Sequence, residues 1–264
     1  MKCTLGGIKI DKVTMEEAVE VIVRLAQKSE IPRIVCTANL DHLATVKHDP
    51  EFLSIYQNAD FVVADGMPLI WLSKFTNCEL KQRVAGSDLF WELGRASAST
   101  GIRLFYLGGH PGAADAAKAA LLKRYPEAQI TGTYCPPFGT LDNPAELLKI
   151  RSAIAAASPD VLLVGFGSPK QEKWIAAYKE MMAVPVSIGV GGSFDMAAGV
   201  VMRAPKWMQA TGLEWVFRLG QEPGRLWRRY FGRDLPFFGL LLMSLIGERI
   251  VSFGNSKNRS RQLP

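Results

Sequence analysis

The sequence is poor in metal ligands and covalent nucleophiles. It holds 3 histidines and 4 cysteines in 264 residues. His42, His48 and His110 are scattered, and Cys3, Cys36, Cys78 and Cys135 form no C-x-x-C pair. The spacings of a zinc site or a dithiol redox motif are therefore missing, and four free thiols in a reduced, cytosolic setting are expected. Neither Gly-x-Ser-x-Gly nor a Cys/His nucleophile pattern occurs, which disfavours acyl transfer through a Ser or Cys. No G-x-x-x-x-G-K-[ST] is present, and G-x-G-x-x-G is never completed: Gly165-x-Gly167 is followed by Lys170 where the third glycine belongs. The N-terminus lacks a basic region followed by an apolar stretch, so no signal peptide is expected. The apolar stretch that begins at Pro236 has 11 residues, short of the roughly 20 that cross a bilayer.

What remains is a globular composition, 48% hydrophobic and 21% charged, with ample material for a core. The length suits one large α/β domain with an appendage, or two small domains. Charge is unevenly placed. Residues 201–264 carry 11 Lys and Arg against 4 Asp and Glu, while the rest carries 20 against 21. A basic end reads as a partner for phosphates, an anionic membrane or nucleic acid.

Short β-branched runs alternate with helical stretches along most of the chain. Residues 2–13 suggest a hairpin bent at Gly6-Gly7, and Thr14-Met-Glu-Glu17 is a capping box opening a helix. Strands are expected at Ile34–Cys36, Phe61–Ala64, Ile102–Leu107, Gln129–Tyr134, Val161–Val164 and Val186–Val190, with helices between them. This pattern predicts a mostly parallel sheet with helices on both faces. Ligands of such sheets bind at the carboxyl ends of strands. Two runs stop abruptly there, one at Thr37-Ala-Asn39 and one at Asp65-Gly-Met-Pro68. Thr37, Asn39 and Asp65 are thus expected to face one crevice, with Asp65 a candidate general base. The plainer alternative is that Asp65 caps the next helix and Asn39 holds a turn.

Three further strand ends are rich in glycine: Gly108-Gly109, Gly165-Phe-Gly167 and Gly191-Gly192. Such turns let backbone N–H groups approach an anion, which points to a nucleotide or another phosphate ligand. Gln171 opens the helix after Gly167, where it either bonds at the sheet edge or sits in a solvated first turn. Arg83, in a loop, either meets an anionic substrate or is an ordinary surface arginine. Beyond Met202, Trp207, Trp215, Phe217, Trp227, Tyr230 and Phe231 are interleaved with Arg218, Arg225, Arg228, Arg229 and Arg233. With the apolar stretch after Pro236, this makes a last core helix or a membrane-surface segment. No Asp-x-Asp occurs, so a sugar-nucleotide enzyme of this sequence would neutralise its diphosphate with arginines. Two other classes fit parts of the pattern: a nicotinamide-dependent oxidoreductase using the glycine turns, and a nucleic-acid-binding module using the Arg/aromatic tail.

As an ordered set, TANLDHL (37–43), ADGMP (64–68), RVAGSDL (83–89), YLGG (106–109), GFGSPKQEKWI (165–175), GVGGSFDMAAG (189–199), RAPKWMQATGLEWVFRL (203–219) and QEPGRLWRRY (221–230) resemble the WecG/TagA/CpsF family of bacterial glycosyltransferases. The resemblance implies a Rossmann-like α/β fold of the GT-E type over residues 1–202 and a helical, membrane-associating appendage over 203–264. It implies inverting, metal-independent transfer of N-acetylmannosamine, its uronic acid or glucose from a UDP-sugar to a polyprenyl-diphosphate-linked sugar, in cell-surface polysaccharide or teichoic acid assembly. The partners expected are that donor, that acceptor and the inner face of the cytoplasmic membrane, without a cofactor, a metal or nucleic acid; a homo-oligomer stays open. By position, Asp65 matches the catalytic base, and Thr37, Asn39, Arg83 and Gln171 match polar active-site residues. Gly108, Gly109, Gly191, Gly192 and Asp195 match the nucleotide side. Arg218, Arg225 and Arg228 match appendage arginines that close over the diphosphate.

Overall fold

The computed structural model describes residues 1–259, except the side chains of residues 210, 225 and 248–259. The chain opens with an antiparallel hairpin, β1 (Lys2–Leu5) and β2 (Ile8–Asp11). The predicted capping box starts α1 (Met15–Lys28): Glu17 N–H donates to Thr14 Oγ1 at 3.2 Å, and Thr14 N–H donates to Glu17 Oε2 at 2.8 Å. There follow β3 (Arg33–Ala38), α2 (Leu40–Thr45), α3 (Pro50–Asn58), β4 (Phe61–Ala64), α4 (Met67–Ser73) and α5 (Gly86–Thr100). The second half runs β5 (Arg103–Gly108), α6 (Ala113–Arg124), β6 (Gln129–Tyr134), α7 (Pro144–Ala157), β7 (Val161–Gly165), α8 (Lys170–Met182), β8 (Val186–Gly189) and α9 (Ser193–Ala197).

β3 to β8 form one sheet in the order β4-β3-β8-β7-β5-β6, every pair parallel. Its strands read as apolar runs because both faces are covered. Alternate residues feed two cores. Ile34, Cys36, Val62, Ala64, Leu162 and Val164 meet α3, α7, α8 and the hairpin, whereas Val35, Val63, Leu163 and Ile188 meet α1, α5, α6 and α9. The chain leaves β5 toward β6 and leaves β7 toward β8. The strand order therefore diverges between β5 and β7, and such a switch point opens a crevice at the carboxyl edge. Gly108 and Gly165 are paired across it.

Past the sheet come α10 (Lys206–Ala210), α11 (Glu214–Gln221), α12 (Pro223–Arg229), a π-helical turn over Tyr230–Asp234 and α13 (Leu235–Arg259). On α13, Phe237, Phe238, Leu241, Leu242 and Leu245 pack against the core, so this helix covers part of the sheet domain. Its other side leaves Leu240 and Met243 68% and 73% exposed. Among the described residues no helix is long and apolar enough to cross a membrane. The cysteines depart from expectation. Cys3 and Cys78, 75 residues apart, are joined as a disulfide with their Cα atoms 5.3 Å apart, leaving Cys36 and Cys135 free. Such a pairing depends on the hairpin docking beside the end of α4, which sequence spacing does not reveal.

Candidate active site

The carboxyl edge of the sheet and the appendage enclose one cleft of about 2170 Å³. Thr37, Asn39, Asp65, Arg83, Gln171, Asp195, Arg218 and both glycine pairs, Gly108-Gly109 and Gly191-Gly192, all line it. Arg228 is exposed and is not among the lining residues; its neighbour Arg229 takes that place. The side chain of Arg225 lies outside the described residues.

Asp65 follows β4 directly. Its N–H extends the β3–β4 ladder by donating to Ala38 O at 2.6 Å. It does not cap α4, whose N-cap is Gly66 at φ +133°, a conformation a side chain would strain. Instead Asp65 Oδ2 faces the start of α5, 3.4 Å from Gly86 N. Burial pushes this carboxyl up to about 6, and Glu214 adds to the rise, while the Gly86 N–H, Arg83 and Arg218 oppose it. A carboxylate so poised is ionised near neutrality yet basic enough to accept a proton.

Asn39 does hold a turn: its Oδ1 accepts from His42 N–H at 3.1 Å and caps α2. That fixes its amide nitrogen, which lies 3.3 Å from His42 Nε2. The nitrogen is a donor only, so Nε2 accepts and the His42 proton sits on Nδ1, 2.5 Å from the Tyr56 hydroxyl. Burial pushes His42 down to about 3, with the charge of Arg229 contributing, so the ring is neutral. His42 and Tyr56 were not singled out from sequence. The signal was present in part, since His42 lies three residues beyond Asn39, one helical turn away.

Thr37 Oγ1 donates to Gly189 O at 3.0 Å, tying β3 to β8 where their ladder ends. Gln171 is buried rather than solvated. Its Oε1 accepts from Gly191 N–H at 3.0 Å and its Nε2 donates to Glu172 Oε1 at 2.8 Å, so it braces the second glycine turn. Gly108 admits no side chain: at φ +99°, a Cβ would fall 2.7 Å from the Phe166 ring. Asp195 Oδ1 accepts from His110 N–H at 3.1 Å and from His110 Nδ1 at 2.8 Å, closing the first glycine turn onto α9.

The appendage meets the sheet domain through charge. Arg83 bridges Glu214 of α11 at 2.8 Å and Asp88 of α5 at 3.1 Å, and Arg203 meets Asp88 at 2.7 Å. Arg229 and Arg233 pair with Asp41 of α2 and with Asp234. Arg218 differs: Nε is buried without a hydrogen-bond partner in Arg203, Arg218 and Arg229 alike, but among the described residues Arg218 alone of these makes no ion pair with a carboxylate. It is a cation held toward the cleft near Asp65.

A switch-point crevice holding a base poised near neutrality, backbone turns suited to phosphate and an arginine without a partner defines an α/β group-transfer enzyme. The profile of the Glycosyl transferase WecG/TagA/CpsF family matches residues 3–250. The chain belongs to that family and is a glycosyltransferase. It is 31% identical over 214 residues to an N-acetylglucosaminyldiphosphoundecaprenol N-acetyl-beta-D-mannosaminyltransferase of Bacillus subtilis, covering 81% of this chain and 80% of the relative. It is 32% identical to a protein of the same description from Bacillus spizizenii, over 87% and 86% of the two chains. A third, from Staphylococcus aureus, is 29% identical over 90% of both. These matches favour neither the oxidoreductase nor the nucleic-acid-binding alternative.

Proposed function

We propose that the enzyme moves an N-acetylmannosaminyl group, or a closely related hexosyl group, from a UDP-sugar to a sugar carried on a polyprenyl diphosphate. The observation that carries the reading is Asp65: a carboxylate titrating near 6 in the cleft that the glycine turns and Arg218 share. In a single in-line displacement, Asp65 takes the proton of the acceptor hydroxyl while that oxygen attacks the donor's anomeric carbon. The bond to the diphosphate breaks on the opposite side, which inverts the centre. The glycine turns and Asp195 hold the nucleotide. Arg218 stabilises the charge that grows on the leaving diphosphate, the electrostatic part of the catalysis.

No divalent ion is assigned a step. Arg218, in the cleft near Asp65, supplies the positive charge over the leaving diphosphate instead. Attachment to the cytoplasmic face of the membrane is supported by the basic tail and by the exposed Trp207, Trp227, Phe231, Leu240 and Met243, a mixture suited to an anionic lipid surface. Residues 203–264 act on this reading as one appendage that completes the site.

The test is a panel of UDP-sugars offered with N-acetylglucosaminyl diphosphoprenol, with products identified by mass spectrometry in the presence and absence of a chelator. Transfer of one hexosyl residue, unaffected by chelation, is expected. No product with any donor would overturn the assignment, and activity restored only by manganese would overturn its metal-free form.

A further inference from the structure

The cleft is larger than a small-molecule site requires: about 2170 Å³ against roughly 300–1,000 Å³ for typical ligand pockets. Its two ends differ in chemistry. The glycine turns follow β5, β7 and β8, with Asp195 and Lys170 beside them, whereas Asp65 follows β4 at one edge of the sheet. Met67, Pro68 and Trp71 of α4, Trp215 of α11, and Leu235 and Phe238 of α13 also line the cleft, α13 packing on α4, and the charged Glu214, Arg218 and Asp234 line it beside them. This wall begins two residues after the catalytic carboxylate and is assembled from both parts of the chain. The turn at Gly212 lies so close to α4 that a Cβ there would fall 2.5 Å from the Trp71 ring. Trp215 is held edge-on to Tyr230, with ring centroids 5.8 Å apart, and Phe238 packs against the core beneath. The nearby arginines 229 and 233 are paired with Asp41 and Asp234, which leaves Arg218, one turn beyond Trp215 on α11, as the cation beside this wall.

A sugar or a base can stack on Trp71 or Trp215, but the aliphatic Met67, Pro68 and Leu235 beside them offer such a ring little, whereas a branched hydrocarbon gains by leaving water against the whole of this surface. We propose that this apolar end seats the first isoprene units of the acceptor's prenyl chain, a reading that rests on the acceptor class given above. The acceptor sugar then lies over the Asp65 carboxylate and those units lie farther along the wall, with the acceptor's own diphosphate between the two. Leu235, 39% exposed, stands where this wall opens to solvent. The acceptor is thus recognised by its first carbons as well as by its sugar.

The experiment compares N-acetylglucosaminyl diphosphate esterified to methyl with the same group esterified to geranyl. Both are assayed with the full chain in detergent-free buffer below the micelle threshold. For the wild type, KM for the geranyl acceptor is expected to be about tenfold lower than for the methyl acceptor. In Trp71→Ala and in Leu235→Gln that preference should shrink to about twofold or less. Because Leu235 is half-exposed, its replacement keeps the test meaningful if Trp71→Ala folds poorly. A wild-type enzyme indifferent to the aglycone, variants that keep the preference, or variants whose change falls on the donor KM would each overturn the groove. Transfer by the wild type to neither acceptor would sink the functional reading, and the groove with it.

Discussion

At the scale of the residue, Asp65 links stability and activity with opposite signs. Its carboxyl is raised from an ordinary 3.8 to about 6, so between those values the folded state holds a proton that the unfolded state has lost. The wild type therefore carries a penalty that is absent below about pH 4, grows through the interval and is complete above pH 6. At 1.36 kcal/mol per unit the penalty is on the order of 2–3 kcal/mol. Asp65→Asn should remove it: Tm rises at pH 8 and is unchanged at pH 3.5, as calorimetry across pH would read. The same variant should lose about 10²–10⁴ in kcat while UDP binding, followed by calorimetric titration, stays near normal. In the wild type, log kcat/KM should fall as pH drops below about 6. His42 should add no inflection between pH 5 and 8, since burial holds it neutral with a pKa near 3.

At the scale of the element, the glycine turns proposed to hold the nucleotide are themselves held by side chains from other elements. Gln171 of α8 carries the Gly191 N–H, and Asp195 of α9 carries the turn after β5. Gln171→Ala should free the Gly191 turn and raise the donor KM several-fold, with a smaller loss in kcat. A change confined to kcat would contradict a brace that serves binding. Such roles were half legible in the sequence. Asp65, Asn39 and the glycine pairs could be placed because a strand must end where its apolar run meets polar or turn residues. What Asn39 and Gln171 touch could not be read, because each partner is chosen by the packing of neighbouring elements. The Arg83–Glu214 contact shows the limit most plainly: 131 residues separate the pair, and nothing local to either marks the other. The disulfide between Cys3 and Cys78 was missed for the same reason.

At the scale of the whole molecule, the question is how far the sheet depends on the appendage. Among the described residues, the core formed by α1, α5, α6 and α9 takes none from beyond Ala198, whereas the opposite core is partly covered by Phe237, Phe238, Leu241, Leu242 and Leu245. Pattern alone left the apolar stretch after Pro236 as either core helix or membrane segment, and the fold packs one face of this helix on the core while leaving Leu240 and Met243 exposed. Deleting the chain from Gly212 should therefore do two separable things. The sheet should persist, since its strands and one complete core remain, but with a lower Tm and new apolar exposure seen as dye binding. Transfer should vanish even at temperatures where the truncated protein is folded, because Arg218 is gone and Arg83 has lost Glu214. Far-UV circular dichroism paired with single-turnover assays separates these effects. A truncated enzyme that is folded and still active would place the charge stabilisation on the sheet domain and leave the appendage with membrane attachment alone.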